Sequence, residues 1–165
     1  MVIDLEALMN GAVDSIPLDT SCDLSDEPFD GAFFPSPVQV RGEITNHAGV
    51  VTLDAVVSFT LSYDCDRCAA PTEKTMRMPM YHTLLRELSN DADWEDYIVV
   101  PDLQLDLTAL VREDVLLSLP TKLLCKEDCQ GLCPTCGKNL NDGPCGCKKE
   151  IDPRLEGLLS LLDES

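Results

Sequence analysis

The stretch "VVTLDAVVSFTLSY", residues 50–63, decides the fold. Val51, Leu53, Ala55, Val57, Phe59, Leu61 and Tyr63 share one face, and Thr52, Asp54, Ser58, Thr60 and Ser62 share the other. A period of two sustained over this length is the pattern of a strand with one face buried. Upstream, in "VQVRGEI", Val38, Val40 and Ile44 alternate with Gln39, Arg41 and Glu43. The intervening "TNHAG" is a compact turn, so the two runs predict an antiparallel hairpin. Downstream, "DCDRCAAP" breaks the alternation and "TEKTMRMPMYHTLL" resumes it, with Met76, Met78 and Met80 opposed to Thr75 and Arg77. "YIVVP" adds a further short strand. These signals fit one amphipathic antiparallel sheet of about four or five strands.

Helices flank this pattern on its C-terminal side. In "DLTALVREDVLLSLP", Leu107, Leu110, Val111, Val115 and Leu119 stand at helical spacing, with Asp106 as N-cap and Pro120 as the stop. In "IDPRLEGLLSLLDES", Asp152 is the N-cap and Pro153 the first helical residue. Leu155, Leu158, Leu159 and Leu162 form its stripe, expected to dock on the sheet or on the other helix. The first 35 residues are acidic. There Leu5, Leu8 and Met9 mark a short helix or strand, and "DTSCDLSDEPFDGAFFPSP" reads as an irregular connection broken by Pro28, Pro35 and Pro37. Phe33 and Phe34 are expected to pack on the main body, and Cys22 to be a free thiol, buried or partly so. The fold class is therefore α+β: an antiparallel sheet with flanking helices and a cysteine-rich, zinc-binding C-terminal segment. Residues 1–120 are expected to form the sheet domain, and residues 121–165 a zinc-binding segment and helix packed on it.

The chain carries 30 acidic and 12 basic side chains, a formal net charge of −18, and no Lys or Arg before Arg41. Such a field repels phosphate backbones and attracts basic partners. Half of the cations fall late, at Lys122, Lys126, Lys138, Lys148, Lys149 and Arg154. The start, "MVIDLEALMNGAVDSIP", lacks a basic n-region and a sustained apolar h-region, and no run is long enough to span a bilayer. The expected compartment is cytoplasmic, where thiols stay reduced.

Six of the nine cysteines lie in "LCKEDCQGLCPTCGKNLNDGPCGC", residues 124–147. In "CPTCG", the turn brings Cys133 and Cys136 to one point and the following glycine lets the backbone bend beneath them. "GPCGC" repeats the device more tightly with Cys145 and Cys147. Two such turns joined by a polar loop make a four-thiolate zinc site. Cys65 and Cys68 of "CDRC" can join Cys125 and Cys129 in a second site, clipping the sheet to the C-terminal segment. Exchange of Cys125 and Cys129 with Cys133 and Cys136 stays open on spacing alone. Disulfides would need an oxidising compartment and would leave one cysteine over. A redox dithiol at Cys65 and Cys68 should sit in a βαβ unit, not between antiparallel strands. Closed C-x2-C and C-x-C turns favour zinc over iron–sulfur, and each four-thiolate zinc site adds a net charge of about −2. His47 and His82 stand alone, no nucleophile motif or phosphate loop occurs, and an all-thiolate site leaves zinc no open position for water.

The cysteine block followed by "IDPRLEGL" resembles the C-terminal signature of the YceD family, the large ribosomal RNA subunit accumulation proteins. "LSYDCDRCAAP" resembles the central element of that family, and "LVREDVLLSLP" the helix before its cysteine segment; the likeness covers roughly residues 38–162. By resemblance, Cys65, Cys68, Cys125, Cys129, Cys133, Cys136, Cys145 and Cys147 occupy motif positions. The family is associated with accumulation of large-subunit rRNA, its genes often neighbour that of a large-subunit ribosomal protein, and no enzymatic activity attaches to it. The resemblance thus implies a non-enzymatic factor in large ribosomal subunit biogenesis, binding a basic large-subunit ribosomal protein, large-subunit rRNA, or both. The alternatives are a thiol oxidoreductase using Cys65 and Cys68, or a zinc storage or delivery protein.

Overall fold

The computed structural model describes residues 1–25, 31–87 and 97–147. The expected helix over 151–165 and the cations Lys148, Lys149 and Arg154 lie outside them.

The alternating stretch forms the centre of the main sheet. β4 (Val38–His47), β5 (Val50–Asp64) and β6 (Pro71–Leu85) run antiparallel, and the 15-residue strands β5 and β6 are paired from Val51↔Leu84 to Asp64↔Pro71. The turn between β4 and β5 is tighter than expected: His47 pairs with Val50, leaving only Ala48 and Gly49. Both have positive φ, 54° and 89°, as the two-residue turn that matches strand twist requires.

Three features differ from the sequence expectation. First, β2 (Ser15–Cys22) is a full strand, paired antiparallel with β4 from Ser15↔Thr45 to Cys22↔Val38. Its alternation of Ile16, Leu18, Thr20 and Cys22 mixes polar with apolar residues, and Pro17 argues against a central strand. Pro17 is accommodated because β2 is the edge. Second, the sheet is mixed, because β7 (Tyr97–Val99) runs parallel to β6. β3 (Ala32–Phe33) pairs with β5 beyond the start of β4, giving the order β2-β4-β5-β6-β7 with β3 beside β5. Third, β1 (Val2–Asp4) pairs with β8 (Gln104–Asp106) in a separate two-stranded sheet.

The core lies on one face of the main sheet. Val51, Leu53, Ala55, Val57, Phe59, Leu61 and Tyr63 of β5 are all buried there, with Val38, Val40 and Ile44 of β4. α1 (Glu6–Met9) contributes Leu8, with Leu5 just before it, and α2 (Leu107–Ser118) contributes Leu107, Leu110, Val111 and Val115. Asp106 caps α2 by accepting from the Ala109 N–H at 3.2 Å, and the helix ends before Pro120. His82 on β6 meets Asp114 on α2 at 2.7 Å, fixing the helix to the sheet. Of the two neighbouring phenylalanines, only Phe34 is in the core, edge-on to Phe59 at 5.7 Å; Phe33 is exposed, because β3 alternates faces. Cys22 is buried and free. Among the described residues no helix is long and apolar enough to cross a membrane.

Candidate metal centres

Cys65 directly follows the last residue of β5. The turn that carries it is closed by Cys65 N–H to the Ala70 carbonyl at 2.9 Å and Ala69 N–H to the Cys65 carbonyl at 2.8 Å. This holds Cys65 and Cys68 at the tip of the longest hairpin. After α2 the chain returns to this tip. Asp66 N–H donates to the Leu123 carbonyl at 2.9 Å, and Leu123 N–H to the Asp66 carboxylate at 2.6 Å. The Tyr63 hydroxyl donates to the Leu124 carbonyl at 2.9 Å. Further along, Arg67 Nη1 donates to the Cys129 carbonyl at 2.8 Å, and Leu132 N–H to the Arg67 carbonyl at 3.1 Å. The cysteine segment is thus strapped to the hairpin tip by both backbone and side chains.

The sulfurs gather into two sets. Cys65, Cys68, Cys125 and Cys129 form an inner set, and Cys133, Cys136, Cys145 and Cys147 an outer one; within each, every sulfur lies within 4.8 Å of the others. The exchange of Cys125 and Cys129 with Cys133 and Cys136, left open by spacing, is not the arrangement adopted. In the outer set, Cys133 N–H donates to the Lys138 carbonyl and Gly137 N–H to the Cys133 carbonyl, closing the first turn. The chain then passes through a 3-10 turn, Leu140–Asp142, before Cys145.

These spacings suit a metal and not a disulfide. Cys65 and Cys129 sulfurs are 3.7 Å apart, as are those of Cys68 and Cys125. A disulfide would bring them to about 2.05 Å. Four sulfurs at about 2.3 Å from a tetrahedral zinc stand about 3.8 Å apart along each edge. All nine cysteines are free.

Protonation within each set is split. Burial pushes Cys125 up to about 12, and the neighbouring sulfurs push the same way. Burial also pushes Cys65 up, but the N–H groups of Cys125, Arg67 and Cys68 outweigh it and bring that thiol down to about 6. In the outer set the N–H groups of Cys136 and Thr135 draw Cys133 down to about 6, while the adjacent Cys136 sulfur and burial drive Cys147 up to about 12. Sulfurs this close cannot all be anionic without a cation among them. Either set could hold a metal ion, which would supply the missing positive charge.

One residue of the site escaped the sequence reading. Asn141 lies in the outer loop, yet its side chain serves the inner set. Its Nδ2 donates to Cys129 Sγ at 3.4 Å and to Asn139 Oδ1 at 2.8 Å, and its Oδ1 accepts from Gln130 N–H at 2.9 Å. That amide is the foremost cause of the lowered Cys129 pKa. The polar loop "GKNLNDGP" offers several amides and no signal that singles this one out.

The family described as "Large ribosomal RNA subunit accumulation protein YceD" matches residues 53–162. The chain is 28% identical over 149 residues to Large ribosomal RNA subunit accumulation protein YCED homolog 1, chloroplastic, of Zea mays, covering 72% of this chain and 51% of the maize protein. Its Arabidopsis thaliana namesake is 27% identical over 158 residues, covering 78% of this chain and 49% of the relative. The Bacillus subtilis protein YlbN is 28% identical over 131 residues, covering 78% and 76% respectively. The chain spans about half the length of the two plant relatives. No solved structure matches. On a family match that takes in the β5–β6 hairpin, α2 and both sulfur sets, the chain belongs to the YceD family of large ribosomal RNA subunit accumulation proteins.

Proposed function

We propose that this protein supports accumulation of large-subunit ribosomal RNA by holding a basic large-subunit ribosomal protein on its acidic surface until rRNA takes that protein over. The observation that carries this reading is the charge, 30 acidic against 12 basic side chains, in a family named for rRNA accumulation. A field of this sign concentrates cationic partners and opposes phosphate.

In this reading the eight clustered cysteines are structural zinc ligands. Zinc lets four thiolates coexist and cross-links the segments that carry them. Two such sites take the net charge from −18 to about −22, which strengthens the pull on a basic partner. The chain's own residues do the rest. The Tyr63, Asp66 and Arg67 hydrogen bonds hold Leu123, Leu124 and Cys129, and with them the start of the cysteine segment, on the tip of the β5–β6 hairpin. No catalytic step is involved, because a closed four-sulfur site leaves no position for water or substrate.

A second reading, direct contact with rRNA, is favoured by the presence of Lys122, Lys126 and Lys138 in and just before the cysteine segment. One titration separates the two: affinity of the full chain for purified large-subunit rRNA, and for a basic large-subunit ribosomal protein, across rising salt. The first reading expects tight protein binding and absent or salt-flat RNA binding. RNA binding that falls steeply with salt, without protein binding, overturns it.

A further inference from the structure

The two sulfur sets differ in exposure and in the length of chain that they close. In the inner set Cys65 and Cys129 are each 2% exposed and Cys68 6%; Cys125 is half-buried. In the outer set Cys133 is buried, but Cys145 is half-buried and Cys136 and Cys147 are exposed. The inner sulfurs in contact are 57 and 64 residues apart in sequence. Their carriers are held together independently of any ion by the bonds of Tyr63, Asp66 and Arg67 to the returning segment. The outer set lies wholly within one loop, so opening it frees only local chain. The inner set is further covered by that loop, whose Asn141 amide reaches Cys129.

Thiolate oxidation follows sulfur accessibility. We propose that the outer centre is an exchangeable, peroxide-sensitive metal site, in which Cys136 and Cys147 form the oxidisable pair. This rests on reading both sets as zinc sites. In the step, the two thiolates give up two electrons and join through one S–S bond. Hydrogen peroxide takes those electrons, its O–O bond breaks, and with two solvent protons it becomes two waters. The dication, left with two of its four sulfur ligands, passes to solvent. The sulfurs begin within 4.8 Å of each other, so only loop residues need to move to close the bond to about 2.05 Å. The inner centre keeps its ion through this step.

The test uses the full chain, loaded with zinc, treated with hydrogen peroxide in the presence of a chromophoric zinc chelator. Elemental analysis beforehand gives the metal content. The expected result is release in two phases of equal amplitude, the first roughly tenfold faster or more. Peptide mapping after the fast phase should find Cys136 bridged to Cys147, with Cys65, Cys68, Cys125 and Cys129 still unoxidised. The double variant Cys136→Ser with Cys147→Ser should keep its sheet by circular dichroism, lose the fast phase and retain the slow one. Release of both ions at one rate, oxidation of the inner sulfurs first, a bridge that uses Cys145, or loss of both ions from the double variant would each overturn the proposal. A chain that takes up no zinc at all overturns the metal reading itself, which the initial analysis detects before peroxide is added.

Discussion

A methyl group at Gly42 would fall on the carbonyl oxygen of Asp54 and the Cα of Ala55, the residue that Gly42 faces across β4 and β5. Gly42→Ala therefore forces two central strands apart. Urea denaturation should show a loss of about 1–3 kcal/mol, against about 1 kcal/mol for Gly49→Ala, which meets only backbone strain in open space. Asn141→Ala removes the N–H donor from Cys129 and, on the proposed reading of the inner set as a zinc site, should weaken zinc retention by about tenfold in a chelator competition. Asp106 gives a pH signature. The Ala109 N–H holds its carboxyl below the ordinary value, so its contribution is present above the unfolded pKa of about 3.9 and is lost as pH falls through the lower folded value. Asp106→Asn keeps the capping oxygen without the charge, and its acid unfolding curve should be flatter below about pH 4. That the cysteines would cluster was readable in the sequence because C-x2-C and C-x-C turns announce themselves, but spacing alone left open whether Cys125 and Cys129 or Cys133 and Cys136 join Cys65 and Cys68. Asn141 was not, since hydrogen bonding to sulfur leaves no spacing rule.

At the scale of elements, β5 was legible because its period of two runs unbroken, and α2 because a capping aspartate and a terminating proline bracket an apolar stripe. β2 was obscured by Pro17 and by a core face that mixes Thr20 and Cys22 with Ile16 and Leu18. β1 and β8 are three residues each, too short for any periodicity, and exist only because they meet each other. The parallel sense of β7 is set by tertiary placement, not by its own residues. Leu61→Ala, at a fully buried position of β5, should cost about 3 kcal/mol by chemical denaturation. The contact between His82 and Asp114 is a polar tie of α2 to the sheet, beside the weaker one from the Thr108 hydroxyl to Cys22 Sγ. A double-mutant cycle with His82→Ala and Asp114→Ala should give a coupling near 1 kcal/mol; a value near zero would show that this contact does not help to fix the helix.

For the molecule as a whole, the β-sheet body owes its core largely to apolar residues of β4, β5, α1 and α2, while the described residues after Leu123 include no member of that core and, on the zinc reading, are held by sulfur and a few hydrogen bonds. Chelation should therefore leave the far-ultraviolet signature of the sheet in place and expose residues 121–147 to limited proteolysis. Acidification should act in the same direction, since protons compete with the metal for sulfur. The architecture also has a temporal consequence. The two halves of the inner set are separated by 57 residues between Cys68 and Cys125, and a ribosome adds about 5–20 residues each second. For about 3–11 seconds, a nascent chain carries an emerged sulfur pair whose counterpart has yet to be synthesised. During that interval the pair is open to stray ions and electrophiles, so every copy passes through a brief chemical vulnerability that the finished protein no longer has.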